Sequence, residues 1–273
     1  MAADRRDKIR DRASRWYGIR IKMWSSLHPG YCRLTYTADH EGIIFEVKSP
    51  KKRASEVRSR LLETYGQPVW RDPLPPLDEL VSTILSQNTT DTNRDRAFDA
   101  LRERFPTWEE VRDADPSDVI SAIRSAGLAN QKGPRIQLAL QQITEERGDL
   151  NLDFLEDLPL EEAREWLLRF KGVGPKTAAI VLLFSLGKPA FPVDTHVYRL
   201  TGRLGLRLDQ ITAEQAHSHL EALFDPAMYY DVHLNLIHHG REICHARSPQ
   251  CELCSLSDLC PFFQAQSRES TNE

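Results

Sequence analysis

The sequence predicts an all-α body behind a basic N-terminal extension. Three observations predict it. From about residue 55 onward apolar residues recur at helical spacing, and strand alternation is scarce. Thr107-x-x-Glu110 and Thr212-x-x-Gln215 have the spacing of capping boxes, which open helices. EEAREWLLRF (161–170) and KTAAIVLLFSL (176–186) read as two helices joined by a very short link. No repeat of 20 to 50 residues and no low-complexity tract interrupts the pattern.

In chain order, the first 50 residues are the least helical part. Between Tyr17 and Val47, RLTYTA and IIFEV are β-prone pieces around a His28-Pro29-Gly30 turn, which suit a small hairpin or an irregular arm. KKRASEVRSR (51–60) reads as a short basic helix, and RDPLPPLDE (71–79) as a proline-rich joint leading to the main body. Residues 1–60 sum to a charge of +8 and residues 61–273 to −12, within a net charge of −4. A basic arm on an acidic body suits either a polyanion partner or a solvated tail.

Composition excludes several classes. The chain is 40% hydrophobic and 28% charged, ordinary for a globular protein. Its longest apolar run, AAIVLLF (178–184), falls far short of the roughly 20 residues of a membrane helix. MAADRRDKIRDR lacks the apolar core of a secretory signal, and its aspartates argue against a transit peptide. A reducing intracellular setting is therefore expected, with no membrane association.

Phe170-Lys171-Gly172-Val173-Gly174-Pro175-Lys176 forms the short link between the two helices. The glycines permit a tight turn, and the following helix start offers free N–H groups to an anion such as a phosphate. Lys176 sits where the helix dipole favours acids and lowers an amine's pKa. It reads equally as an amine nucleophile or as a phosphate-gripping cation. Eighteen residues on, in FPVDTHVYRL (191–200), Asp194 reads as a helix N-cap or as a catalytic carboxylate.

Four of the five cysteines cluster as C-x6-C-x2-C-x5-C: Cys244, Cys251, Cys254 and Cys260. In a reducing compartment this is a ligand set. The spacing alone leaves open a structural zinc ion or a [4Fe–4S] cube.

FKGVGPKTAA, VDTHV and the 6-2-5 cysteine spacing, with ILSQNTTD (84–91) and AGLANQKG (126–133) upstream, together resemble the endonuclease III family, the iron–sulphur branch of the helix–hairpin–helix DNA glycosylases. The resemblance covers roughly residues 55–262. It implies two helical lobes with DNA in the cleft between them: a six-helix barrel ending in the hairpin (70–188) and an iron–sulphur cluster lobe (51–69 and 189–262), with the extension at 1–50 and a tail at 263–273. It implies removal of oxidised pyrimidines from double-stranded DNA and nicking of the abasic site, by a cytoplasmic, nucleoid-associated monomer. By the same resemblance Lys176 is the Schiff-base lysine and Asp194 the catalytic aspartate. Gly172, Val173 and Gly174 hold a phosphate. The four cysteines ligate a [4Fe–4S] cluster. Leu128 wedges into the duplex, and Gln87 or Asn88 fills the hole left by the base. Arg247 lies in the DNA-facing cysteine loop.

The chain departs from the family at three places. Gln87-Asn88 replaces a frequent Ala-Gln, Ala129 replaces a frequent tyrosine, and Arg247 is the single arginine between the first two cysteines. Two other readings stand within the family, a mismatch or uracil glycosylase and the adenine-removing relative. Many monofunctional relatives lack a lysine at position 176. The adenine enzyme carries a further C-terminal domain, whereas 13 residues follow Cys260 here. Outside the family, a non-catalytic helix–hairpin–helix module with a zinc site is the competing class.

Overall fold

The computed structural model describes residues 21–23, 31–36, 44–70 and 72–270. The chain divides into two compact units, Met1–Ser59 and Arg60–Glu273. The first contains an antiparallel meander of β1 (Ile21–Met23), β2 (Tyr31–Tyr36) and β3 (Ile44–Lys48). Ile21 pairs with Tyr36, and Tyr31 with Lys48. The β-prone pieces of the extension thus form strands. The His28-Pro29-Gly30 turn lies outside the described residues.

Twelve helices follow among the described residues. α1 (Pro50–Tyr65) is the basic helix, and α2 (Pro76–Leu85) starts at the end of the proline-rich joint. α3 (Asp91–Arg104) is capped by Thr90, whose side chain accepts from Asn93 N. α4 (Trp108–Asp113) starts at Thr107, which accepts from Glu110 N, and α5 (Pro116–Ala122) at Asp115. α6 (Ala129–Arg147) ends at Gly148, whose φ of +83° provides the left-handed stop. α7 (Leu160–Leu168) and α8 (Pro175–Ile180) are the expected pair, and α8 runs on into a π-helical turn at Val181–Ser185. α9 (Thr195–Arg203) is capped by Asp194. α10 (Ala213–Leu223) has the full reciprocal capping box of Thr212 and Gln215. α11 (Tyr229–Glu242) and α12 (Pro261–Ser270) close the order. Among the described residues no helix is long and apolar enough to cross a membrane.

The core forms around α2. Leu80, Ile84, Leu101, Ile136, Leu140 and Leu182 are each 1% exposed or less and belong to one apolar cluster. α2 packs against α3, α6 and α8, while α6 packs against α4 and α5. Beyond this cluster α9 packs on α11 and α12. Between α8 and α9 runs an extended link, and side chains from two helices, α10 and α11, pin it. Phe191 N–H donates to Glu221 at 2.9 Å, and Glu221 is itself paired with Arg164 at 2.8 Å. His217 Nδ1 meets Phe191 O at 2.9 Å, and His233 Nδ1 meets Pro192 O at 3.0 Å. A carbonyl can only accept, so both rings carry their proton on Nδ1.

A second pin lies at the start of α6. Lys132 is 1% exposed, and its ammonium donates to Leu85 O and to Ala126 O, both at 2.8 Å. The Leu85 carbonyl belongs to the C-terminal turn of α2, where a cation meets the negative end of the helix dipole. Burial pushes the Lys132 pKa below its usual value. We expect Lys132→Met to keep the stem's packing, strand two buried carbonyls and lower stability by about 3 kcal/mol in urea unfolding. A loss under about 0.5 kcal/mol, the level of an ordinary surface substitution, would contradict the pinning role.

The buried histidines make stability pH-dependent. Burial is the largest cause lowering both: it depresses His217 below 6.5 and His233 to about 4, against smaller opposing effects from the Phe191 carbonyl and from Asp194 respectively. Between these values and 6.5 the unfolded chain binds more protons than the folded one. Their contribution is therefore complete above pH 6.5 and is lost as pH falls toward 4. His233→Asn should flatten the dependence of melting temperature on pH between about 6.5 and 4. An unchanged slope would contradict the assignment.

Candidate active site and cluster loop

The hairpin between α7 and α8 is built as the glycines require. Gly172 has a φ of +91°, a left-handed conformation strained for any side chain. Val173 is 6% exposed within the apolar core, and its N–H bonds to Phe170 O at 3.0 Å. What Val173 can offer a ligand is therefore its carbonyl. The first bond back into α8 runs from Ala178 N to Gly174 O, which leaves the N–H groups of the preceding turn open, as at any helix start.

Three other loops approach this hairpin or share its strain. Gln87 Nε2 donates to Gly172 O at 3.0 Å, tying the 86–90 loop to the hairpin. Its neighbour Asn88 has a φ of +53°. Leu128 has a φ of +50° and caps α6 from the left-handed region, with its apolar side chain 47% exposed. Ser248, next to the exposed Arg247, has a φ of +48°. Among the described residues these three are the non-glycine positions with positive φ. Such strain concentrates at ligand-contacting sites. Lys132 bonds the chain just before two of these tips, at Leu85 and Ala126.

A cavity of about 790 Å3 opens beside the hairpin, and Asn88, Lys176, Asp194, Tyr230, His233 and Arg241 line it. Lys176 enters from the first turn of α8, and Asp194 from the mouth of α9. Asp194 accepts from Val197 N at 2.7 Å, so it is a helix cap. It also lines the cavity, so capping the helix leaves it facing the same space as Lys176. His233 comes from α11; burial is the largest cause lowering its pKa, Asp194 and the Pro192 carbonyl favour its protonation, and Lys176 opposes it. At the cavity edge Arg241 pairs with Asp91 at 2.8 Å. Burial alone would raise the Asp91 pKa. The Arg241 hydrogen bond and charge, then Arg94 and Lys176, hold it below the usual carboxylate value.

The cysteine segment begins directly after α11. Arg199 donates to Cys244 O from Nε at 3.0 Å and from Nη2 at 2.9 Å, and to Gly240 O at 2.9 Å. One turn further on, Arg203 donates to Cys244 Sγ at 3.1 Å, His245 O at 2.7 Å and Ala246 O at 3.1 Å. From the other side Arg60 binds Ser255 O and both oxygens of Asp258, and Thr64 bonds Ser255 Oγ at 2.9 Å. Tyr65 Oη lies 2.8 Å from His239 Nδ1, and His239 Nε2 lies 3.3 Å from Cys254 Sγ.

All four thiols line one pocket, floored by Leu200, Leu204, Ile243 and Leu256. A [4Fe–4S] cube takes one thiolate at each corner, and the four cysteines that line this one pocket supply that number. Burial is the largest cause raising Cys251, Cys254 and Cys260, with Cys254 pushed up to about 11. Cationic iron reverses that balance and holds the ligands as thiolates.

The sequence reading did not single out His217, His233, Lys132, Arg199 or Arg203. Each acts on a partner remote in the chain, such as Pro192 for His233 or Leu85 for Lys132, so local spacing carries no mark of it. An arginine in a last helical turn, as Arg203 is in α9, ordinarily reads as complementing the helix dipole.

Comparison with known proteins agrees with this geometry. Residues 81–226 match the family model of the HhH-GPD superfamily base excision DNA repair proteins, and residues 244–260 match the iron–sulphur binding domain of endonuclease III. Endonuclease III of Synechocystis is 35% identical over 227 residues, covering 82% of this chain and 98% of that protein. The Thermotoga maritima endonuclease III is 35% identical over 193 residues, covering 71% and 86%. The chain spans 64% of a longer Arabidopsis thaliana protein assigned as a DNA glycosylase, at 38% identity. A non-covalent endonuclease III–DNA complex superposes with a TM-score of 0.68 at 26% identity, covering 80% of this chain and 98% of that one. These likenesses support DNA as the partner and a [4Fe–4S] cluster as the cofactor. The chain belongs to the endonuclease III-like, iron–sulphur branch of the HhH-GPD superfamily of base excision repair DNA glycosylases.

Proposed function

We propose that the protein is a bifunctional DNA glycosylase and abasic-site lyase that acts as a monomer on double-stranded DNA carrying an oxidised pyrimidine or an abasic site. The observation that supports this reading is the convergence of Lys176 and Asp194 on one cavity from separate helix starts, beside a glycine hairpin. A base inside a duplex is out of reach, so the nucleotide is turned out of the stack, most easily when damage weakens its pairing. Asn88 and Leu128 are the residues we assign to the vacated space, because both stand on strained tips and Gln87 is held by the hairpin. Gly172, Gly174 and Arg247 are assigned to the DNA backbone, whereas Val173, whose N–H is bonded to Phe170 O, is not.

The chemistry follows from the two cavity residues. Asp194 stabilises the positive charge that develops on the sugar as the glycosidic bond weakens. The neutral Lys176 amine forms a bond to C1′, and the base departs with the electron pair of the glycosidic bond and takes up a proton. The C1′–O4′ bond then opens, O4′ takes the proton that the amine sheds, and the resulting iminium acidifies C2′–H. Loss of that proton expels the 3′ phosphate oxygen and breaks the strand. Cys244, Cys251, Cys254 and Cys260 hold the [4Fe–4S] cluster. It supplies a rigid centre about which the 244–260 loop folds, and no bond-making step in this scheme uses it.

The test is borohydride trapping. Reduction of the iminium should join wild-type protein covalently to duplex DNA containing an oxidised pyrimidine. Lys176→Ala should give no trapped species yet still bind DNA. Asp194→Asn should bind and release base much more slowly, with a stability loss of about 1 kcal/mol, the usual effect of losing a cap. Trapping by Lys176→Ala at the wild-type rate would overturn the lysine assignment.

The cluster assignment has its own measurement. Cys254→Ser should lose iron and the brown colour of an iron–sulphur protein, together with DNA affinity. Stoichiometric zinc without iron in anaerobically purified wild type would contradict it.

A further inference from the structure

We propose that one polar face of α2, formed by Glu79, Ser82 and Thr83, reads the edge of the base displaced into the cavity and selects bases that present an N–H donor there. This inference rests on the glycosylase reading above and extends it to substrate class. α2 is otherwise a core helix. Leu77, Leu80, Val81, Ile84 and Leu85 are all buried in the main apolar cluster. Yet Glu79, Ser82 and Thr83 are also buried, at 4%, 8% and 5% exposure. Their spacing of three and four residues sets them on one side of the helix, and all three line the cavity that contains Lys176.

The opposing wall is of another kind. α2 packs against α8 and its π-helical continuation. From that segment Lys176, Ile180 and Phe184 recur every four residues and line the same cavity. Phe184 and Tyr230, another lining residue, form a ring pair at 5.1 Å. A flat ring in this cavity can place its faces against Ile180, Phe184 and Tyr230 and its edge toward the polar strip.

One hydrogen bond sets the polarity of the strip. Thr83 Oγ1 donates to Glu79 Oε1 at 3.4 Å. With its proton directed to Glu79, the Thr83 hydroxyl offers lone pairs to the cavity. Lone pairs fit an N–H on the base. That donor is either the ring N3–H of an imide pyrimidine, such as a ring-saturated uracil or thymine, or the exocyclic amine of a cytosine derivative. A site that hydrogen-bonds its substrate discriminates strongly, because a base lacking the donor leaves buried polar groups unpaired.

The test uses full-length protein and three duplexes, containing dihydrouracil, 5-hydroxycytosine or a preformed abasic site. The readout is the rate of base release divided by the rate of abasic-site nicking, since an abasic site has no edge to read. Thr83→Val keeps the shape of the side chain and removes the hydroxyl. It should lower the ratio roughly tenfold or more, for dihydrouracil if the donor is N3–H and for 5-hydroxycytosine if it is the amine. Thr83→Ser should restore the ratio. A ratio unchanged for both bases overturns the assignment while leaving the lyase reading intact. Wild-type protein that fails to nick abasic DNA overturns the lyase reading and this assignment with it.

Discussion

Two arginines one turn apart on α9 fasten the cysteine loop to the helix whose other end holds Asp194. Arg199 satisfies the carbonyls of Gly240 and Cys244, which the end of α11 leaves without helical partners, and Arg203 takes the next two carbonyls and the Cys244 sulphur. From Asp194 to Arg203 is nine residues, or about 14 Å of helix. α9 is thus a short strut between the cysteine pocket and the cavity. The link that feeds it is pinned by His217, His233 and Glu221. A carboxylate that caps its own helix and is held from both ends has little freedom, which suits a group meant to face charge developing at a fixed point.

The loops obey a different constraint. Asn88 and Leu128 sit at left-handed φ values that L residues occupy at a cost of about 1–3 kcal/mol each. Lys132 bonds to a carbonyl just upstream of each tip. One buried ammonium therefore helps fix two strained tips, and the exposed side chain of Leu128 projects from a rigid base. The same cation would be expensive to bury without its two carbonyl partners.

Much of this was legible in the sequence, and the reason is local. Thr107 and Thr212 open helices because a hydroxyl at that position satisfies free N–H groups, and nothing distant is needed. Gly172 is legible because its φ of +91° excludes other residues. The cysteines are legible because a cluster needs four thiolates in reach of one another. The β-prone pieces of the extension left a hairpin and an irregular arm as alternatives, and the structure has a three-stranded meander there. The Asp194 reading left cap and catalyst as alternatives, and the structure has it capping α9 on the wall of the cavity. Illegible were the residues whose meaning is a partner far along the chain. Lys132 reads as a surface lysine until Leu85 and Ala126 are brought to it, and Glu79 and Thr83 read as ordinary helix polar residues until α8 closes the cavity over them.

The central claim is that a displaced nucleotide meets Lys176 inside the cavity bounded by α2, α8 and α11. A crystal structure of the borohydride-reduced protein–DNA adduct measures that directly. The account predicts a bond from Lys176 Nζ to C1′, the carboxylate of Asp194 beside the sugar, and Asn88 and Leu128 inserted in the duplex at the vacated position. A bond to any other amine, or an extrahelical nucleotide lying outside this cavity, would contradict it.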